Sequence, residues 1–116
     1  MKVLIAGSRE FNNYALLYQE LSKFTKPITE IISGTARGAD TMGEHYANLN
    51  NIPIKRFPAN WDKYGKRAGY IRNVDMGEYC DCAVIFWNGK SSGTKHMIDI
   101  LNEKKKPYYI VYFKEE

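Results

Sequence analysis

The sequence predicts an α/β protein, a three-layer Rossmann-like parallel sheet of about five strands with helices on both faces. Three observations lead there. Short apolar runs at Val3–Ala6, Ile31-Ile32 and Cys82–Trp87 have the continuous character of strands buried on both faces. Segments with apolar residues at helical spacing lie between them. Gly, Ser and Thr collect just after these runs, at Gly7-Ser8-Arg9, Ser33 to Asp40 and Asn88 to Thr94, whereas the opposite strand ends, near Pro53 and Pro107, lack them.

Taken in order, Val3–Ala6 ending in Gly7 is a central strand. Tyr14, Leu17, Leu21 and Phe24 give one apolar face of a helix that Pro27 stops. Glu30–Ser33 is the second strand and opens into the glycine loop Gly34 to Gly38. Ala39, Met42, Tyr46 and Leu49 trace the second helix. Ile54–Phe57 alternates apolar and basic residues, as suits a strand near a sheet edge. Pro58–Gly65 is expected to be a connector carrying Trp61 and Tyr64, before a third helix from Ala68 to Tyr79. Cys82–Trp87 is the fourth strand and Asn88–Gly93 its loop. A last helix uses Thr94, Met97, Ile98 and Leu101, and Pro107 introduces the final strand, Tyr108–Phe113. By analogy with other open sheets, the order 3-2-1-4-5 is expected, with right-handed helical crossovers. Ligands of such sheets bind beyond the carboxyl ends of the strands, at the switch between the first and fourth.

Composition narrows the function classes. The 116 residues suit one domain, and with 44% hydrophobic and 26% charged residues the chain can bury a core. No apolar stretch approaches the ~20 residues of a membrane helix, and Met1 runs into a strand without a signal-peptide pattern, so a cytoplasmic location is expected. Cys80 and Cys82 are too close for an unstrained disulfide and lack partners for a zinc site, so both are expected reduced. The net charge of +4 and pI near 9.0 suit an anionic ligand without demanding a nucleic acid.

The chemistry is expected in the three loops. Glycine lets backbone N–H groups approach an anion, and a helix start adds unpaired donors and a favourable dipole. Ser91-Ser92-Gly93-Thr94 reads as such a phosphate cradle, or as turn chemistry with Ser92 or Thr94 as the helix cap. It is neither a Walker A sequence nor a full dinucleotide fingerprint. Arg9 and Arg37 can pair with phosphate oxygens in a fork or form surface salt bridges. Asp40 and Glu44, four apart, share a helix face. They can accept from ribose hydroxyls, act as acid or base, or simply complement the helix dipole. Lys63, Lys66, Arg67 and Arg72 interleave with Tyr64 and Tyr70 behind Trp61, a pattern suited to stacked bases and phosphates, or to a solvated helix start. His45 and His96 have no partner at ligand spacing and read as surface or helix-face residues. No metal site or cofactor is expected.

Read together, Val3–Phe11 (VLIAGSREF), Ile32–Glu44 (ISGTARGADTMGE), Ile52–Asn73 (IPIKRFPANWDKYGKRAGYIRN) and Val84–Met97 (VIFWNGKSSGTKHM) resemble the YspA-like family of the SLOG superfamily. That superfamily also holds DprA and the Lonely Guy phosphoribohydrolases, and members of the family occur in bacteria and phages. The resemblance implies a nucleotide pocket built from Gly7, Ser8 and Arg9, then Gly34, Arg37, Gly38 and Asp40, then Gly89, Lys90, Ser91, Gly93 and Thr94. Trp61, Arg72 and Asn73 would close it. It departs from the Lonely Guy pattern Gly-Thr-x-x-Glu, because Met97 stands where that glutamate would be.

A sensor or sequestering protein for an ADP-ribose-like or cyclic nucleotide signal is therefore the leading expectation. A nucleotide N-glycosidic hydrolase using Asp40 or Glu44 is the alternative, and single-strand DNA binding of DprA type a second. Large rings on both faces of the last strand, Tyr108, Tyr109, Tyr112 and Phe113, predict a dimer or tetramer.

Overall fold

The computed structural model describes residues 1–114. Five strands form one parallel sheet in the order β3-β2-β1-β4-β5: β1 Lys2–Gly7, β2 Glu30–Ser33, β3 Ile54–Arg56, β4 Cys82–Trp87 and β5 Tyr108–Tyr112. This is the expected order: successive strands are added in one direction from β1 to β3 and in the other from β4 to β5, so the switch point lies between the parallel neighbours β1 and β4, which pair from Val3↔Cys82 to Gly7↔Phe86.

Strand alternation divides the core in two. Val3, Ile5, Ile31, Cys82, Val84 and Phe86 pack with α1 (Tyr14–Leu21) and α2 (Ala39–Leu49). Leu4, Ala6, Ile32, Ala83 and Ile85 meet the other layer, α4 (Ala68–Tyr79) and α5 (Ser92–Glu103). Cys80 and Cys82 are free, buried, and fall in these two different clusters. Burial pushes both thiols up, Cys82 to about 11, which leaves them poor nucleophiles.

Several details differ from expectation, among them β3, which ends at Arg56 and not at Phe57. Helix α1 ends at Leu21, where the Ser22 hydroxyl bonds the Tyr18 carbonyl, and Phe24 packs on the core from the following turn. Leu49, in the last turn of α2, is exposed. The supposed connector holds a helical turn, α3 (Trp61–Tyr64), capped by Asn60 and continued by a 3₁₀ turn at Gly65–Arg67. Four residues are too few to show a periodicity. Helix α5 begins at Ser92 and its cap is Ser91, not Ser92 or Thr94. The Asn88 side chain accepts from the N–H groups of Lys90 and Ser91, and that turn delivers Ser91 to the cap.

Strand β5 stops one residue earlier than expected, and Phe113 turns onto Phe11 with ring centroids 5.0 Å apart. It is an edge strand, with Tyr109 and Tyr112 60% and 65% exposed. Among the described residues, no helix is long and apolar enough to cross a membrane.

Candidate functional site

The three glycine-bearing loops converge beyond the carboxyl ends of β1, β2 and β4, and Ser8 ties them together. It is fully buried: its carbonyl accepts from Ala39 N–H at 3.3 Å, and its hydroxyl accepts from Asn88 N–H at 3.2 Å. Two glycines permit this crossing. At Gly7 (φ +154) a Cβ would run into the carbonyl of Phe86, and at Gly38 (φ +76) into the carbonyl of Ser8. Ser8 and Gly38 thus hold the loops in place, and neither lines the space between them.

That space is a cleft of about 100 Å³, lined by Gly7, Arg9, Asp40, Arg72, Asn73, Ser91, Gly93 and Thr94, with Ala6, Ala36, Met76 and Met97 completing the walls. Eight of the residues expected at a pocket therefore meet. The four apolar wall residues carry no chemical signature, and only their place brings them in: Ala6 on β1, Ala36 in the loop after β2, Met76 on α4 and Met97 on α5. Arg37 is exposed on the loop beyond Ala36, and Gly89 and Lys90 are exposed on the far side of the Asn88 turn; none of the three lines the cleft. Trp61 stands outside it, 56% exposed.

The two carboxylates of α2 part company. Asp40, 6% exposed, opens on the cleft and accepts the Ala36 N–H through Oδ2 at 3.1 Å. Burial pushes it up from the ordinary 3.8 to about 6, against the lowering influence of the Ala36 N–H and Arg72. Glu44, one turn on, accepts the Ser33 hydroxyl at 2.6 Å and is gripped by Arg56 through Nε and Nη2 at 3.0 and 2.9 Å. Four residues advance a helix by more than one full turn, enough to carry Glu44 over β2 and away from the cleft.

Arg72 reaches the cleft from α4. Its Nη1 donates to the Gly34 carbonyl at 2.6 Å and its Nε to Asn73 Oδ1 at 3.1 Å. Burial lowers its affinity for its proton, Asp40 opposes that, and Arg9 adds to it. Two guanidinium groups are therefore close enough to repel, and among the described residues Arg9 has no ion pair. Gly34 leaves room for this arrangement, since a Cβ there would lie 2.8 Å from Asp40 Oδ2 and 3.1 Å from Arg72 Nη1. On the opposite wall the Ser91 cap satisfies Thr94 N–H, while the first turn of α5 presents the N–H groups of Ser92 and Gly93, which no helical carbonyl can reach.

Met97, 2% exposed, lines the cleft, and Asp40 is the carboxyl group of this lining. No group of three or more His, Cys, Asp or Glu side chains among the described residues is placed to hold a metal ion.

The sequence model of the family described as "YspA, cpYpsA-related SLOG family" matches residues 1–64. The chain belongs to that family. The "Gene 61 protein" of Mycobacterium phage D29 is 31% identical over 105 residues, covering 82% of this chain and 83% of the phage protein. No solved structure gives a significant match. The part matched by the SLOG model carries Gly7, Arg9 and Asp40, whereas Arg72, Asn73 and the α5 wall lie beyond it. The histidine beside Asn73 was not legible in the sequence: His96 Nδ1 lies 3.1 Å from Asn73 Nδ2, a contact made only by the packing of α4 on α5.

Proposed function

We propose that residues 1–116 act as one SLOG domain that binds a nucleotide or nucleotide-derived anion, ADP-ribose-like or cyclic, as a sensor or sequestering protein. The observation that carries this reading is Arg9 and Arg72 meeting on one cleft with the open first turn of α5. Like charges held together without a matching set of carboxylates call for an anion, and guanidinium groups suit phosphate oxygens in forked geometry.

Size sharpens the reading. At about 100 Å³ the cleft is well below the roughly 300 Å³ of an ordinary small-molecule pocket, a size that suits a phosphate group better than a whole nucleotide. The rest of the ligand must then extend over the rim. A Cβ placed on Gly69 would lie 3.6 Å from the Trp61 ring and 3.8 Å from Arg72 Nη2, so indole and guanidinium flank one point of that rim. A base stacked on Trp61 would have its phosphate within reach of Arg72. In this reading the protein works in the cytoplasm as a homo-oligomer and needs no cofactor.

Isothermal titration calorimetry with inorganic phosphate, mononucleotides, ADP-ribose and cyclic ADP-ribose tests it. Binding of at least one nucleotide, weakened about tenfold or more by Arg72→Ala, is the expected result. Uniform absence of heat from folded protein refutes it. A second reading, N-glycosidic hydrolysis, is favoured by Asp40, whose carboxyl titrates at about 6 and suits proton transfer near neutrality. Chromatography of the same mixtures after incubation decides it, and unchanged nucleotides retire it.

A further inference from the structure

One of the two bonds that hold Arg72 at the cleft, from its Nε to Asn73, depends on a residue outside the lining. That Nε carries only a hydrogen, so the Asn73 atom facing it at 3.1 Å must be the oxygen. The amide nitrogen of Asn73 then faces His96 Nδ1, also at 3.1 Å, and as a donor it requires a lone pair there. His96 is thereby fixed as the neutral tautomer with its proton on Nε2. The register of the two helices sets up this chain. One turn beyond Asn73, Gly77 lets α5 approach so closely that a Cβ would lie 2.7 Å from Ile100 Cγ2. Ile100 is in turn one turn beyond His96.

We propose that His96 is a positioning residue that helps hold Arg72 over the cleft through Asn73, and that protonation of His96 removes this restraint, leaving Arg72 held by the Gly34 carbonyl alone. A proton on Nδ1 would set N–H against N–H. Turning the Asn73 amide to relieve that clash would present its nitrogen to Arg72 Nε, a second clash of donors. One proton therefore breaks the relay wherever Asn73 points.

The groups around the ring are few. The Tyr70 ring from α4 packs edge-on at 4.2 Å between centroids. Asp99, one turn along α5 and paired with Lys95 at 2.8 Å, favours the charged ring. Arg72 stands beyond Asn73, with Asp40 and Arg9 across the cleft. Burial outweighs Asp99 and lowers His96 from the ordinary 6.5, so the release falls on the acid side of neutrality.

The gating of a bound anion rests on the proposed anion site, whereas the positioning of Arg72 does not, and the test separates them. In ligand-free protein, nitrogen NMR is expected to report the Nε2–H tautomer. The Asn73 side-chain amide and the Arg72 Nε–H resonances should then move with the His96 midpoint, and should lose that transition in His96→Asn, whose Oδ1 replaces the Nδ1 acceptor without titrating. Inorganic sulfate, with no titration of its own between about pH 5 and 8, probes the cleft. Wild-type affinity divided by that of His96→Asn should fall about fivefold as His96 protonates, the worth of one neutral hydrogen bond. Taking the ratio removes the opposite trend from Asp40. His96→Leu should be weak at every pH. Resonances that ignore the His96 midpoint overturn the positioning role. A flat ratio overturns the gating. Absence of sulfate binding at any pH sinks the anion site and the gating with it, while the resonances still decide the positioning.

Discussion

Replacing Asp40 with asparagine should make the protein more stable at neutral pH. The carboxyl is 6% exposed and titrates at about 6 instead of 3.8, so folding favours its neutral form. Below the lower value it is protonated folded or unfolded, and its charge costs nothing. As pH rises from 3.8 through about 6, the unfolded chain releases the proton first and stability falls. Above that range the full penalty remains. At about 1.4 kcal/mol per pH unit, the gap corresponds to on the order of 3 kcal/mol. Asparagine keeps an oxygen for the Ala36 N–H and carries no charge, but its amide hydrogens sit near Arg72, so a gain of about 1–3 kcal/mol is expected. For a chain of this size that is roughly 4–12 °C in Tm. Urea denaturation of Asp40→Asn and wild type, followed by tryptophan fluorescence at about pH 7.5 and below pH 3.8, measures it. An Asn variant less stable than wild type at neutral pH, or a difference that ignores pH, would falsify this account of Asp40. In the first case its attraction to Arg72 would outweigh its burial. A residue that costs stability where it sits is a hallmark of a functional position.

Three further outcomes are expected. Gly34→Ala should fold with a Tm within a few degrees of wild type yet weaken nucleotide binding about tenfold or more, because its Cβ would meet Asp40 Oδ2 and Arg72 Nη1 at 2.8 and 3.1 Å. Calorimetry showing unchanged affinity contradicts this. Gly7→Ala should cost about 3 kcal/mol or more and leave little soluble protein, since β1 and β4 meet there without room for a Cβ; a wild-type melting curve would remove that reasoning. Light scattering at micromolar concentration should give the mass of a dimer or tetramer, reduced to the monomer by Tyr109→Lys with Tyr112→Lys on the exposed β5 edge. A monomeric wild type refutes the oligomer.

Much of the site was legible because its chemistry lies in short contiguous loops. Gly7, Arg9, Asp40, Ser91, Gly93 and Thr94 all sit at a strand end, in the loop after it or in the first turn of the next helix, and a parallel sheet brings such ends together whatever the details of packing. Arg72 stood out in the basic and aromatic run behind Trp61, but its place in a pocket, like that of Asn73, was reached through a resemblance, because nothing in the helix from Ala68 to Tyr79 says that its first turns face the strand ends. Roles within the loops were harder to read. Ser8 is as polar as Ser91, but it is turned inward to join three backbones. Glu44 is as acidic as Asp40, but the helix carries it to Arg56.

Apolar runs and the spacing between them determined the strands, helices and layer architecture, because burial on two faces or on one stripe writes a periodicity that a linear chain can display. Only the tertiary structure decided which polar groups are spent on holding the loops, which open on the cleft, and that His96 stands behind Asn73 and Arg72. Those outcomes depend on contacts a few ångströms long between residues far apart in the chain, and no local pattern encodes the angle at which two helices meet.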